Sequence, residues 1–350
     1  MRAARFDTTE RTLEVVDVPV PEPGPLEVLV KVHACGICLS DVHLLDGSLP
    51  SPLPAVTPGH EAAGVIERVG SEVRGWTPGQ RVVLAGGRNC GECWFCVRGR
   101  VEECQQFQIM GFAFDGAWAE YVVVPYGALA EVPDSVPLEQ AAVLADAVAT
   151  PYAALTDRAA LRPGESVGLW GIGGLGVHAV QIARMVGAHP IIALDPLPAA
   201  RERALGLGAD HALDPTDPDC IAKVWELTGG RGLNVAADLV GANRVLAQAD
   251  LCLGRAGRLL MVGLSPEPVQ LGMGMLFGVL SHTLMGHLGY RRQHLDTLVG
   301  LVASGRLDVS ASVSDVISLE DVAQGVERLT SKEGNPVRIV VNPRSTAPRN

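Results

Sequence analysis

Ser166-Val167-Gly168-Leu169-Trp170-Gly171-Ile172-Gly173-Gly174-Leu175-Gly176 is the stretch whose reading decides the fold. Its first five residues form a mostly apolar run of strand length, and the next six spell GxGxxG. A helix-forming run over 174–186 follows, then a second apolar run over 190–195. That run ends in Asp195, 19 positions beyond Gly176. The glycine pattern alone is common. Strand, glycine turn, helix, strand and terminal acid in that order form the dinucleotide-binding unit of a Rossmann domain. Gly171, Gly173, Gly174 and Gly176 let the turn close and let the backbone approach a pyrophosphate at the helix N-terminus. Asp195 is placed to accept from a ribose 2′-hydroxyl. A carboxylate there repels a 2′-phosphate and so favours NAD, although Arg201 and Arg203 lie close in sequence and leave NADP as the rival.

Outward from this stretch the strand–helix alternation continues. Apolar strands are expected at 233–238 and 258–262, with helices near 199–206 and 243–253, which builds a parallel, doubly wound sheet. The first 150 residues read differently. Short β runs at 11–18, 27–33, 62–69, 81–85 and 118–124 are broken by PVPEPGP at 19–25 and SLPSPLPAVTPG at 48–59. That half is expected to be an antiparallel, partly barrel-like β unit. Ala-rich, helix-forming sequence at 138–161 separates the halves and is expected to break at Pro151. The last sixty residues mix helix and strand, ending in a strand at 338–341. A length of 350 residues suits about two domains at roughly 150 residues each.

Charge and composition exclude several classes. The formal net charge is −11, the wrong sign for a surface that neutralises phosphates, so nucleic acid is not expected as a partner. The opening MRAARFDTTERTLEVV has no apolar signal region. The longest charge-free stretch, 268–290, is interrupted by Gln270, Ser281, His282, Thr283, His287 and five glycines, so a buried strand-and-turn segment is a better reading than a bilayer span. A cytoplasmic protein with no membrane partner is expected.

Eight cysteines then matter through their spacing. Cys90, Cys93, Cys96 and Cys104 fall in fifteen residues, as four thiolates suited to a closed, tetrahedral structural zinc. The bacterial ferredoxin run ends C-x3-C-P, whereas here the last gap is seven and Gln105 follows. Disulfides would require an oxidising compartment. Cys38 and His60 offer a thiolate and an imidazole, two of the three ligands of an open zinc site, but buried cysteines and histidines also serve as packing. Asp146 is a lone acid in an Ala/Val run. It needs a cation or donors, and reads either as a helix cap or as a metal ligand.

Taken together, CGICLSDVH, GHEAAGVIERVG, the four-cysteine lobe, GIGGLG with Asp195, and the terminal Pro336-Val337-Arg338 resemble the zinc-dependent medium-chain alcohol dehydrogenases over essentially the whole chain. The resemblance implies a GroES-like β-barrel catalytic domain at 1–150 and 290–350, enclosing a Rossmann domain at 151–289. It implies two zincs per chain and NAD. Cys38, His60 and Asp146 would hold the catalytic zinc; the third position is Cys in many members and Asp in a group of bacterial secondary-alcohol dehydrogenases. Glu61 matches the acidic neighbour of that metal. Ser40 matches the hydroxyl that takes the substrate proton, His43 the outer end of the relay, and Asp41 a residue that orients the surroundings. Thr150, Leu175 and Val262 match positions at the cofactor, and Arg338 one that reaches its pyrophosphate. Leu39 departs from members with a basic residue there. The implied activity is hydride transfer between a small-molecule alcohol, of the secondary class, and NAD; a polyol, sugar or specialised-metabolite dehydrogenase or reductase is the alternative. A homodimer or homotetramer is implied as well, with 268–290 as the candidate interface.

Overall fold

The computed structural model describes residues 1–345, and the chain divides into two compact units, Met1–Ala149 with Arg291–Asn350, and Thr150–Tyr290. The first is built on a seven-stranded sheet. Its order is Leu129–Glu131, Arg81–Leu84, Glu61–Val69, Glu27–Gly36, Arg338–Asn342 and Val313–Ser318, and Tyr121–Pro125 pairs with Glu27–Gly36 off this path. Every pairing is antiparallel except that of the last two strands in the order. Val28, Val30, Val32, Ile66, Val82, Leu84 and Val122 meet Trp118 in one buried core. The register between Glu27–Gly36 and Glu61–Val69 slips twice, between Leu29 and Val30 and between Val32 and Ala34. Such bulges bend and twist a strand, which curls the sheet toward a barrel.

This curling brings three strand ends together. Gly36 sits opposite Glu61 on one side and Val340 on the other. A Cβ at Gly36 would stand 2.1 Å from Glu61 Oε1, so only glycine leaves room for that carboxylate. A strand not foreseen from the sequence, Arg2–Asp7, pairs with Thr12–Asp17 in a separate three-stranded sheet. It carries charges at Arg2, Arg5 and Asp7, which hid its alternation.

The second unit holds a six-stranded, all-parallel sheet in the order His211–Leu213, Ile191–Leu194, Val167–Trp170, Leu233–Asp238, Leu253–Met261, Thr283–Gly286. Helices Gly176–Val186, Pro198–Gly206, Cys220–Leu227 and Asn243–Cys252 intervene in sequence. The order reverses direction at Val167–Trp170, the doubly wound arrangement. Strand His211–Leu213 and helix Cys220–Leu227 were not expected; each is too short to show a clear period.

Two expectations require correction. The helix does not break at Pro151: the chain runs helical through Leu138–Val143, Leu144–Val148, Ala149–Ala153 and Ala154–Arg158, the second and fourth as π turns. The longer π repeat lets a helix pass a residue that lacks an N–H. Residues 268–290 are not a buried segment either. They form an exposed helix, Gly274–Val279, and the edge strand Thr283–Gly286, with Met273, Met275 and Val279 more than half exposed. Absence of charge does not force burial within one chain when the segment lies at a sheet edge. No helix among the described residues is long and apolar enough to cross a membrane.

Candidate active site and metal centres

Cys38 lies just before helix Leu39–Leu45, as its N-cap. Asp41 Oδ2, on the helix's first turn, accepts from the Cys38 amide at 2.9 Å, which fixes the Cys38 backbone. Oδ1 of the same fully buried carboxylate accepts from the Gly59 amide at 3.3 Å and faces His60 Nδ1, also at 3.3 Å. The latter approach is electrostatic rather than a well-aligned hydrogen bond, since Nδ1 has no hydrogen-bond partner. It aims the other ring nitrogen at the remaining groups. Ser40 Oγ is 3.2 Å from His60 Nε2, and Asp146 Oδ2 is 3.8 Å from it. Ligand atoms of Cys38, His60 and Asp146 all lie within 4.8 Å of one another. Thiolate, imidazole and carboxylate arrive from a helix cap, a strand end and a π turn. That donor set fits an open zinc site. His43 points elsewhere, its Nδ1 3.0 Å from Ser48 Oγ at the surface. Leu39 is half exposed beside Ser40.

Electrostatics mark the same place. Burial pulls the His60 imidazole down, but the carboxylates of Asp41 and Asp146 outweigh it and hold its proton affinity well above the ordinary value. Burial pushes the Cys38 thiol up, with Asp146 adding and Arg338 opposing. Asp146 is also buried, yet the bonds and charges of His60 and Arg338 keep its carboxyl well below the usual range. Glu61 is pushed up to about 8 by burial despite the opposing Arg338 charge.

Arg338 sits in this cluster rather than apart from it. Its Nε lies 3.0 Å from Glu61 Oε2, and its NH2 group donates to Asp146 Oδ2 at 3.0 Å and approaches Cys38 Sγ at 3.6 Å. Glu61 Oε2 accepts in addition from the Ala147 amide at 3.2 Å. The guanidinium is 3% exposed. Here the side chain is engaged with Glu61 and two prospective metal ligands.

The second cluster is local. Sulfur separations in Cys90, Cys93, Cys96 and Cys104 include 3.9 Å for Cys90–Cys96, 4.0 Å for Cys93–Cys104 and 3.5 Å for Cys90–Cys104. A tetrahedron with Zn–S bonds of about 2.3 Å has edges of about 3.8 Å, so the four sulfurs fit one zinc ion. Amides of Cys90, Cys93 and Gln106 donate to these sulfurs, as expected around thiolates.

In the second unit, the glycine turn follows Val167–Trp170. Gly171 has φ +90°, a backbone that side chains rarely adopt. A Cβ at Gly176 would meet the Gly171 carbonyl at 2.0 Å, so the helix start and the turn touch backbone to backbone. Gly173 and Gly174 lie between them, and Leu175 caps helix Gly176–Val186. Asp195 stands beyond the end of Ile191–Leu194. It accepts from the Ile172 amide at 2.8 Å and the Leu197 amide at 2.9 Å, so the acid at the second strand's end also braces the turn. Arg201 and Arg203 donate to main-chain carbonyls of Asp195 and Ile172. Thr150 and Val262 are buried, the former with its carbonyl 3.2 Å from His287 Nε2.

The model "Alcohol dehydrogenase GroES-like domain" matches residues 24–134, and the model "Zinc-binding dehydrogenase" matches 174–304. The NAD-dependent alcohol dehydrogenase of Sulfurisphaera tokodaii is 31% identical over 339 residues, covering 94% of this chain and 96% of its own. The chain belongs to the zinc-binding dehydrogenase family. An L-threonine 3-dehydrogenase of Pyrococcus horikoshii is 34% identical over 311 residues, covering 86% of this chain and 87% of its own. The alcohol dehydrogenase TADH from Thermus sp. ATN1 superposes with a TM-score of 0.90 at 31% identity, covering 98% of this chain and 99% of its own.

Within this zinc-binding dehydrogenase, the structure brings together Cys38, Ser40, Asp41, His60, Glu61, Asp146 and Arg338, drawn from four separate stretches of sequence. Reading the sequence missed the clamp among Arg338, Glu61 and the Ala147 amide. Its only sequence signal was a basic residue opening a terminal apolar strand, which says nothing about its partners.

Proposed function

We propose that this protein interconverts alcohols and their ketones or aldehydes by hydride transfer with NAD. The observation that carries the reading is the convergence of Cys38, His60 and Asp146 with the Ser40 hydroxyl beside the imidazole. Cys38, His60 and Asp146 would hold zinc, which when bound supplies Lewis acidity that lowers the pKa of an alcohol. NAD, held through Gly171, Gly173, Gly174, Leu175, Gly176 and Asp195, supplies the hydride-accepting ring. The chain's own groups do the rest. Asp41 orients His60 by facing Nδ1, which leaves Nε2 as the ligating nitrogen. Ser40 takes the alcohol proton, which would pass by way of the cofactor's ribose hydroxyl to His43 at the surface and from there to solvent. Arg338 and Glu61 back the metal cluster.

Secondary alcohols are the proposed substrate class. Asp146 in the third ligand position supports it, and so does the relative named L-threonine 3-dehydrogenase, whose named substrate is oxidised at a secondary hydroxyl. Catalysis is assigned to 1–150 with 290–350, and cofactor binding to 151–289. A second zinc belongs to the four cysteines, and such reduced thiolates suit the cytoplasm. Homodimers are proposed to form at the exposed edge of Thr283–Gly286 beside the apolar helix Gly274–Val279. The test is metal analysis with an NADH-absorbance screen of primary and secondary alcohols, polyols and L-threonine. About two zincs and preferential oxidation of secondary alcohols are expected. A metal-free, inactive protein overturns the reading.

A further inference from the structure

Three elements of the first unit converge on Arg338. Strand Arg338–Asn342 supplies the guanidinium, strand Glu61–Val69 the carboxylate of Glu61, and the π turn Leu144–Val148 both Asp146 and the Ala147 amide. Nε faces Glu61 at 3.0 Å while NH2 donates to Asp146 Oδ2 at 3.0 Å, so one planar fork spans two carboxylates. That same Oδ2 is the atom 3.8 Å from His60 Nε2. Glu61 closes the ring by accepting from Ala147, the residue after the ligand. The π turn is thus held on both sides of Asp146: by its side chain and by the next main-chain amide.

A guanidinium 3% exposed is costly unless its donors are matched. Here they are matched to an aspartate that approaches Cys38 and His60 from a turn geometry rare in proteins and often found at functional sites. An aspartate has a short side chain with a free rotor about its carboxyl, so unlike a cysteine sulfur it needs something to orient its lone pairs. We infer that Arg338 is a positioning residue for Asp146, fixing the third ligand of the Cys38–His60–Asp146 site, with Glu61 anchoring the guanidinium. This rests on the proposed metal site. It also explains why the guanidinium is turned toward the ligands.

The test is a double-mutant cycle read by metal retention. Zinc or cobalt is loaded into wild type, Arg338→Gln, Asp146→Cys and the double variant. Release to a chelator is then timed, cobalt absorption is recorded as a readout of ligand geometry, and circular dichroism and thermal melting check the fold. Removing a group that orients a metal ligand costs ~10–100-fold in metal affinity, so Arg338→Gln should release metal that much faster and shift the cobalt spectrum. In the Asp146→Cys background the same change should alter release by less than ~3-fold, because the acceptor is gone. Arg338→Lys keeps the charge without the fork and should restore only part of the retention. Equal effects of Arg338→Gln in both backgrounds overturn the inference, since Arg338 would then act on Glu61, on cofactor or on overall stability. If Arg338→Gln fails to fold, the comparison of Arg338→Lys in the two backgrounds decides by the same criterion. A wild-type chain that takes up no metal at Cys38, His60 and Asp146 overturns the metal-site reading itself, and the inference with it.

Discussion

At the residue scale, identical side chains do different work according to what surrounds them. Cys38 sits among charged groups from several elements, whereas Cys93 sits against Cys90 and Cys104 of its own loop. Cys38→Ser should therefore lower turnover at least ~100-fold with the melting temperature nearly unchanged, while Cys93→Ser should mainly lower the melting temperature. Activity assays beside calorimetry separate the two; a matched loss of activity and stability in both variants would contradict the division. Thiol reactivity offers a second check. Amides of Cys96 and Gln105 pull Cys93 down to about 6, so its thiolate predominates at neutral pH. Burial pushes Cys220 up to about 11 and Cys252 up to about 12. Because the thiolate is the nucleophile, iodoacetamide at pH 7 should label Cys93 first in metal-stripped protein, with Cys220 and Cys252 labelled only after denaturation. Mass mapping of labelled peptides reads the order.

At the element scale, the glycine turn was legible because its demands are local. A positive φ at Gly171 and the contact between Gly176 and the Gly171 carbonyl are set within six residues. Gly171→Ala should cost ~1–3 kcal/mol of stability through backbone strain, and a Cβ there would also press within 2.6 Å of Val240 Cγ2. Scanning calorimetry and NADH fluorescence titration should both register it; an unchanged melt would show that the turn tolerates a side chain. The π turns were not legible. Pro151 signals a helix break locally, and only the hydrogen-bonding pattern reveals that the helix widens instead. Arg2–Asp7 was hidden for a similar reason: its partner strand, not its own alternation, makes it a strand.

At the scale of the whole molecule, the charge-free run 268–290 gains a different meaning from the one its composition suggests. Among the described residues Thr283–Gly286 ends the parallel sheet with one edge unpaired, and Met273, Met275, Val279 and Leu288 are exposed nearby. Light scattering on a size-exclusion column should give a mass about twice 36.8 kDa. Met275→Asp with Val279→Asp should shift the protein toward monomer at unchanged secondary structure, since both side chains are already exposed in the single chain. A wild-type monomer would leave the exposed edge without the proposed function.

Short-range chemistry was determined by the sequence itself. Spacing alone placed four sulfurs on one loop, glycines where a turn needs them, and an acid at the end of the second strand, because each constraint acts over a few consecutive residues. The tertiary structure decided what long separations leave open. Residues 38, 60, 146 and 338 are far apart in sequence, and the bulged, curled sheet and the π turn bring their side chains within bonding distance of one another. That Arg338 faces Asp146 and Glu61 follows from where three strand ends and a helix turn converge, which no run of consecutive residues encodes.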